Sequence, residues 1–157
     1  MNDRYLYRAK RIDNGVWIVG SLIQAPYLGS IRSWISSEQE DKARLREISS
    51  NQAVWRSFEV RTDTICQCTG LNDKNGKLIW ENDIVSFQFD NDDCPFPNND
   101  TKKRIGKVFF SDFRASWSIA MGKNGSKSLN NDLWKYVQNG NRVEVIGSAI
   151  DNPELLE

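Results

Sequence analysis

The sequence predicts a mainly β protein with a small helical contribution, that is, a β-rich α+β fold. Short segments in which apolar and polar residues alternate recur along the 157-residue chain. Turn-forming pairs such as Asn14-Gly15 and Asn75-Gly76 separate these segments, and a single segment carries strong helix signals. Closely spaced short strands with glycine-containing turns are typical of small barrels and sandwiches. We therefore expect one of these two architectures.

The N-terminal region is predicted to be a β-hairpin followed by a helix. Residues 5–12 alternate, Asp13-Asn14-Gly15 can supply the positive φ angles of a tight turn, and residues 16–19 resume the apolar pattern. Residues 26–36 show no regular pattern and are expected to be irregular. Ser37 and Glu40 match a capping box, which predicts a helix over residues 38–48.

The rest of the chain is predicted to consist mostly of strands. Alternation favours strands over residues 56–68, 84–90, 104–110, 116–121 and 142–150. In the first of these, Val60, Thr62 and Cys66 fall on one face. Residues 69–77 are dense in turn formers, and 128–137 is expected to hold a short helical turn. Gly147 is expected to mark a bulge, and Pro153 to begin a final helical turn.

Two regions are expected along the chain. Residues 1–55 would form the hairpin and helix region, and residues 56–157 the β-barrel region, with a seam near residues 50–55. One continuous domain is the alternative, since no low-complexity linker separates the two regions.

Composition excludes several classes of function. The chain contains no histidine, which excludes Ser-His-Asp and Cys-His triads and histidine-ligated zinc. Lys plus Arg and Asp plus Glu are both 21, so the formal net charge is zero. A balanced charge argues against a polyanion binder that works through bulk charge.

The sequence also indicates a compartment. The first residues have no apolar core of signal-peptide length, and no stretch approaches the roughly 18 apolar residues of a membrane span. The three cysteines, Cys66, Cys68 and Cys94, are an odd number, and we expect all of them as free thiols. We therefore expect a cytoplasmic protein that makes no contact with a membrane.

One long segment resembles a known family. Residues 68–85, Cys-Thr-Gly-Leu-Asn-Asp-Lys-Asn-Gly-Lys-Leu-Ile-Trp-Glu-Asn-Asp-Ile-Val, are similar to the signature segment of the YopX family, small proteins of phages, prophages and other mobile elements. Residues 7–17 resemble the opening hairpin of that family, and residues 145–147 and 152–156 resemble its C-terminal ending. The residues of this signature turn are Thr69, Gly70, Leu71, Asp73, Gly76, Glu81 and Asp83.

The resemblance implies a fold and an origin. It implies a β-rich fold with an SH3-like barrel in the C-terminal part, and a phage or mobile-element origin, but no particular activity. Residues 25–60 and the loop near 91–100 carry no resemblance. Asn82 stands where the family usually has glycine. Because asparagine tolerates positive φ better than most residues, we expect the turn to keep its shape.

Candidate metal and catalytic groups have simpler structural explanations. Cys66 and Cys68 place two thiols on one strand face, but a structural zinc site needs about four ligands, so we expect small buried residues there. The acidic loop of residues 90–93, with Asp100 nearby, lacks the glycine and the final glutamate of a calcium loop. Glu81 and Asp83 could suggest acid–base chemistry, but aspartate in such turns commonly bonds backbone N–H groups. We expect no catalytic residue, no metal and no cofactor.

Two basic groups are candidate contacts for nucleic acid or a protein partner. They comprise Arg8, Lys10 and Arg11 near the N-terminus, and Lys102, Lys103, Arg104 and Lys107 further on. If exposed tryptophans lay beside them, a small barrel could stack single-stranded bases. Most tryptophans lie in strand-like segments, however, where core packing is the more common outcome.

The leading expectation is therefore a non-enzymatic module that acts by protein–protein interaction or by self-assembly. Barrel edges and aromatic surfaces suit that role. The alternative is a nucleic-acid-binding accessory module of a mobile element.

Overall fold

The computed structural model describes residues 3–37, 57–92, 99–138 and 140–157. Within them the protein is mainly β, as predicted, with two antiparallel sheets and one short α-helix. The predicted helix over 38–48 and the predicted seam near 50–55 lie outside the described residues. The chain forms two compact units, Met1–Cys68 (unit 1) and Thr69–Glu157 (unit 2). Residues 57–68, which the sequence analysis assigned to the second region, belong to unit 1.

Unit 1 is built on one antiparallel sheet. Its strands are β1 (Tyr7–Lys10), β2 (Trp17–Tyr27), β3 (Ser30–Ser36), β4 (Ser57–Val60) and β5 (Cys66–Asn72), the last of which continues into unit 2. In space they follow the order β4-β3-β2-β1-β5. The core of the unit is formed by Ala9, Ile18, Ile35 and Val60. The predicted opening hairpin is confirmed: β1 pairs with β2, and Gly15 in the turn has a φ of +70°.

The prediction of irregular structure over residues 26–36 is wrong. β2 extends to Tyr27, a two-residue turn follows, and β3 returns in register with Tyr27 opposite Ser30. The turn residues Leu28 and Gly29 have φ angles of 44° and 82°, the positive values of a type I′ hairpin turn. The sequence signal was masked because proline usually argues against a strand.

Pro26 is tolerated because of where its nitrogen points. In a hairpin closed by two residues, the closing pair Tyr27–Ser30 is hydrogen-bonded and the next pair, Pro26–Ile31, is not. The nitrogen of Pro26 therefore faces away from β3. On that side β2 is paired with β1 only as far as Gly20 in the described part of the chain, so no ladder hydrogen bond is lost.

A continuous strand over residues 56–68 is also not observed. β4 ends at Val60, and a 3₁₀-helix spans Thr62–Thr64 before β5 begins. Thr64 accounts for the break: its buried hydroxyl donates to the carbonyl of Arg61 at 2.7 Å and accepts from the backbone N–H of Lys10 at 2.9 Å. Threonine side chains that bond nearby backbone compete with ladder hydrogen bonds. As a result Thr62 is exposed and does not share the buried face of Val60 and Cys66.

Unit 2 contains the second sheet. The strands of unit 2 are β6 (Leu78–Trp80), β7 (Asp83–Phe87), β8 (Arg104–Ser111), β9 (Ser116–Ala120), β10 (Asn130–Asp132) and β11 (Val143–Ser148). The second sheet has the order β10-β9-β8-β7-β11, whereas β6 pairs with β5 as the last strand of the first sheet. Helix α1 (Leu133–Val137) begins at Asp132, whose carboxylate accepts from the N–H of Trp134, and 3₁₀-helices span Lys123–Gly125 and Pro153–Leu156.

The core of unit 2 follows from the alternation of its strands. Leu133 and Tyr136 of α1 pack against buried side chains of the strands. The strand residues of this core are Ile79, Val85, Phe87, Val108, Ile119 and Val143. The predicted bulge is confirmed, since the register between β11 and β7 shifts between Val145 and Gly147. The predicted final turn is confirmed as well, with Pro153 at its start. The SH3-like barrel stays a prediction.

Candidate functional site

The most conspicuous surface feature of unit 1 is the end of the β2–β3 hairpin, residues 23–32, named here the arm. All residues of the arm are exposed apart from the half-buried Ala25. Leu28 at the tip is 91% exposed, and Ile23, Tyr27 and Ile31 are exposed large apolar side chains on the same hairpin. The register places Ile23 and Tyr27 on one face of the hairpin and Ile31 on the other, with Leu28 at the tip. Single exposed apolar residues are common on protein surfaces, and a hairpin that carries four of them is a candidate interaction site.

The arm is stabilised by side-chain contacts of Arg32 and Gln24. The guanidinium of Arg32 lies 4.7 Å from the centre of the Tyr27 ring and forms an ion pair with Glu59 at 2.8 Å. At the base of the arm Gln24 donates to the hydroxyl of the buried Ser33 at 3.1 Å. These contacts order the hairpin, so its apolar residues are presented on a defined scaffold.

Unit 2 exposes a second, smaller aromatic group at the β8–β9 turn. Phe113 is 98% exposed, and the half-exposed Phe110 packs edge-on against Trp117 with ring centres 5.2 Å apart. Ala115 closes the turn with a φ of 49°. Neither this turn nor the arm was singled out from the sequence, because exposure of an apolar residue in a turn has no periodic signature.

The signature turn is organised by Asp73. One carboxylate oxygen accepts hydrogen bonds from the N–H groups of Asn75 at 2.8 Å and Lys77 at 3.0 Å. The other accepts from the N–H of Val145 at 3.0 Å. Burial raises the pKa of Asp73, but these three backbone donors outweigh that effect and hold the pKa below its ordinary value. Asp73 is therefore an ionised structural anchor.

Other signature residues before Trp80 also stabilise the local backbone conformation. The buried Thr69 hydroxyl donates to the carbonyl of Ile79 at 2.8 Å and accepts from the N–H of Leu71 at 3.1 Å. Leu71 itself packs against the core of unit 2. Gly70 and Gly76 have φ angles of 74° and 81°, which glycine adopts without steric cost.

The two candidate carboxylates after Trp80 lie at the entry to β7. Asp83 is buried and accepts from the N–H of Trp80 at 2.8 Å, as the sequence analysis expected for an aspartate in such a turn. Glu81 is half-buried. Between them Asn82 has a φ of 62°, which confirms the expectation that asparagine maintains the turn here. Its backbone bonds the carbonyl of Val108 and the N–H of Ala149.

The basic group of unit 1 is engaged with aromatic and acidic side chains. Arg8 and Lys10 both lie over the ring of Trp17, at 4.8 and 5.6 Å from its centre. Arg11 forms an ion pair with Asp13 at 2.5 Å. Its guanidinium also lies 4.0 Å from the centre of the Phe58 ring. Cations of its own unit thus lie over the half-buried Trp17 ring and compete with a base for stacking on it.

The basic residues of unit 2 lie in different environments. Arg104 makes a two-point contact with Asp100, at 2.6 and 3.1 Å, and lies 3.8 Å from the centre of the Phe89 ring. Lys102 and Lys103 are exposed, whereas Lys107 is half-buried.

The tryptophans considered for base stacking differ in environment. Trp80 is buried, Trp117 packs on Phe110, Trp134 is exposed, and Trp55 lies outside the described residues.

Cys66 and Cys68 are buried free thiols, and the Cys66 thiol lies 3.4 Å from the carbonyl oxygen of Thr64. Cys94 lies outside the described residues. In the acidic loop, Asp90 accepts from the N–H of Asp100. Across the described ranges no group of three or more His, Cys, Asp or Glu side chains could hold a metal ion.

None of the helices in the described part of the chain has the length and apolar character needed to span a bilayer.

Comparison with known proteins adds the family. The model of the YopX family, described as YopX protein, matches residues 6–157. The chain belongs to the YopX family. This match confirms the resemblance carried by residues 68–85 and extends it over nearly the whole chain, including the arm of this YopX protein. A comparison with curated proteins finds no match.

Proposed function

We propose that this YopX protein is a non-enzymatic module that binds another protein, or a second copy of itself, through the arm. The observation that carries the proposal is the exposure of Leu28, Tyr27, Ile31 and Ile23 on one ordered hairpin. Desolvation of apolar and aromatic side chains supplies most of the binding energy at protein interfaces.

The engagement of the candidate catalytic groups supports a non-enzymatic role. Of the two candidate carboxylates, Asp83 is buried and accepts a hydrogen bond from the backbone N–H of Trp80, and Glu81 is half-buried beside it. A general base must instead reach the proton of a bound substrate. The proposal includes a phage or prophage origin, which the family resemblance implies. It also includes a cytoplasmic location, which suits the two buried free thiols.

The Leu28→Asn variant tests the role of the arm. Asparagine followed by glycine is the preferred pair for a type I′ turn, so the change removes the apolar tip and keeps the hairpin. The matched control is Phe113→Ser, which removes an equally exposed side chain from unit 2. Self-association is measured by light scattering over a concentration series, and capture of host proteins by immobilised chain is compared among the three proteins.

We expect the assembly, or one captured band, to be lost in Leu28→Asn and kept in Phe113→Ser. A chain that is monomeric at all concentrations, together with identical capture by wild type and Leu28→Asn, would contradict the proposal.

Nucleic-acid binding is the second candidate, and the exposed Lys102 and Lys103 favour it. Binding of a single-stranded oligonucleotide would then weaken steeply with salt, and reversal of both charges would reduce that dependence. The unit 1 group supports this role less, because Arg8, Lys10 and Arg11 are engaged within their own unit.

A further inference from the structure

A polar cleft of about 340 Å³ opens in unit 2, where the end of β7 lies beside the start of β11. Charged and amide side chains dominate its lining, and Phe87 is the only bulky apolar residue among the described residues that line it. Ligand pockets begin at about 300 Å³. The cleft therefore suits a small hydrophilic molecule and offers little to an apolar one.

The charges in the cleft favour an anion. Lys74, Lys103 and Arg142 contribute positive charge, and Asp92 and Glu144 contribute negative charge. Lys74 forms an ion pair with Glu144 at 2.5 Å, which compensates that carboxylate. The hydrogen bond and charge of Lys74 hold the pKa of Glu144 below its ordinary value, and the nearby charge of Lys103 acts in the same direction. Lys103 and Arg142 then face a single further acid, Asp92, within the described lining.

The guanidinium of Arg142 is oriented before any ligand arrives. It donates to the side-chain oxygen of Asn91 at 2.9 Å and to the carbonyl of Lys135 at 3.3 Å. Gly140 lets Asn91 approach closely, because a Cβ at this position would lie 3.1 Å from the amide nitrogen of Asn91. A side chain that is already ordered loses little entropy when it binds.

Asn141, the neighbour of Arg142 in the lining, is fixed as well. The Asn141 amide donates to the carbonyl of Asn72 at 2.8 Å, and its oxygen accepts from the N–H of Val143 at 3.2 Å. The cleft is thus formed by hydrogen bonds within unit 2 and is preorganised.

We propose that this cleft binds a phosphoryl group, with Arg142 and Lys103 as its principal contacts. The planar fork of an arginine matches two phosphoryl oxygens, and a lysine ammonium can approach a third. Both a small phosphate monoester and a nucleic-acid backbone carry this group. The concave shape favours the monoester, so the proposal goes beyond the arm and uses none of its residues.

The test is a titration of the ¹⁵N-labelled full chain, followed by amide chemical shifts at constant ionic strength. The probes are inorganic phosphate, ribose 5-phosphate and a single-stranded oligonucleotide, with chloride as the reference anion. We expect saturable shifts that centre on residues 140–144 and Lys103. Lys103→Glu should weaken binding at least about tenfold, because it replaces attraction by repulsion. For ribose 5-phosphate the matched control is Lys102→Glu, an equal charge change at an adjacent exposed lysine outside the lining, which should stay within about twofold of wild type.

The results distinguish a small phosphate monoester from a nucleic-acid backbone as the source of the bound phosphoryl group. Saturable binding of ribose 5-phosphate identifies a monoester site, and saturable binding of the oligonucleotide at the same amides identifies the backbone as the source. Shifts that do not saturate, that lie outside the cleft, or that respond equally to the two lysine variants would overturn the proposal. Arg142→Lys keeps the charge and removes the fork, and it should weaken binding in protein that remains folded by circular dichroism. Loss of the arm's activity in Leu28→Asn, with phosphate binding intact, would keep the two proposals distinct.

Discussion

The carboxylate of Asp73 and the backbone N–H of Val145 are joined by a 3.0 Å hydrogen bond although 72 residues separate them in sequence. The same carboxylate organises the signature turn through Asn75 and Lys77. One side chain therefore fixes the shape of the turn and also attaches it to β11. This arrangement gives the acidic residue of the signature turn a structural role.

Replacement of Asp73 by alanine should destabilise the protein by about 3 kcal/mol, because buried backbone donors lose a charged acceptor. Urea unfolding of the variant and of wild type measures the difference. The control is Asp112→Ala, which removes an exposed carboxylate from the β8–β9 turn and should change stability by less than about 0.5 kcal/mol. Equal effects of the two variants would show that Asp73 does not anchor the turn.

The lowered pKa of Asp73 also predicts a pH dependence. Its contribution to stability is complete above the ordinary value of 3.8 and is lost as pH falls through the lower pKa of the folded state. The unfolding free energy of wild type should therefore fall towards that of Asp73→Asn as pH drops below about 3.8. Stability curves of both proteins from pH 2 to 7 test this. A difference that stays constant over the whole range would contradict it.

Two glycines of unit 1 should respond differently to alanine. A Cβ on Gly20 would lie 1.9 Å from the carbonyl oxygen of Ser36, so the paired strands would have to separate. We expect Gly20→Ala to cost at least about 2–3 kcal/mol. A Cβ on Gly15 meets no atom within 4 Å, and its φ of +70° should cost only about 1 kcal/mol. Thermal unfolding of the two variants gives the order, and the reverse order would contradict the β2–β3 register.

The Leu28→Asn variant should not lose stability, and a gain of up to about 1 kcal/mol is expected, because asparagine adopts positive φ more readily than leucine. Its Tm, compared with that of Leu28→Val, gives the measurement. A β-branched residue at positive φ should lower the Tm. Destabilisation by asparagine would indicate that Leu28 packs on a surface, in conflict with its exposure of 91%.

Local signals in the sequence predicted a large part of the fold. The first hairpin, the positive φ of Asn82, the bulge near Gly147 and the turn at Pro153 each depend on residues that are neighbours in the chain. The arm was missed because three local features hide it. Pro26 disfavours a strand, Leu28 is an unusual residue at positive φ, and the buried face of β3 includes the polar Ser33.

The candidate sites were less predictable because their contacts are not local. Nothing in the sequence near Asp73 indicates Val145 as its partner, and nothing near Arg142 indicates Asn91. The sequence shows where the basic residues are, but the acids and aromatic rings that they contact are set by the tertiary structure. Arg104 pairs with Asp100 and lies over Phe89, while Lys103, its neighbour in the chain, faces the cleft.

Pro26 has a further consequence for strand addition at the edge of β2. An exposed strand edge invites growth of a continuous ladder, and long ladders of this kind lead to fibrils. At Pro26 the outward position of β2 has no N–H group, so an incoming strand would lack one bond in the middle of its ladder. The hairpin can therefore expose apolar side chains while its backbone remains a poor template for strand addition.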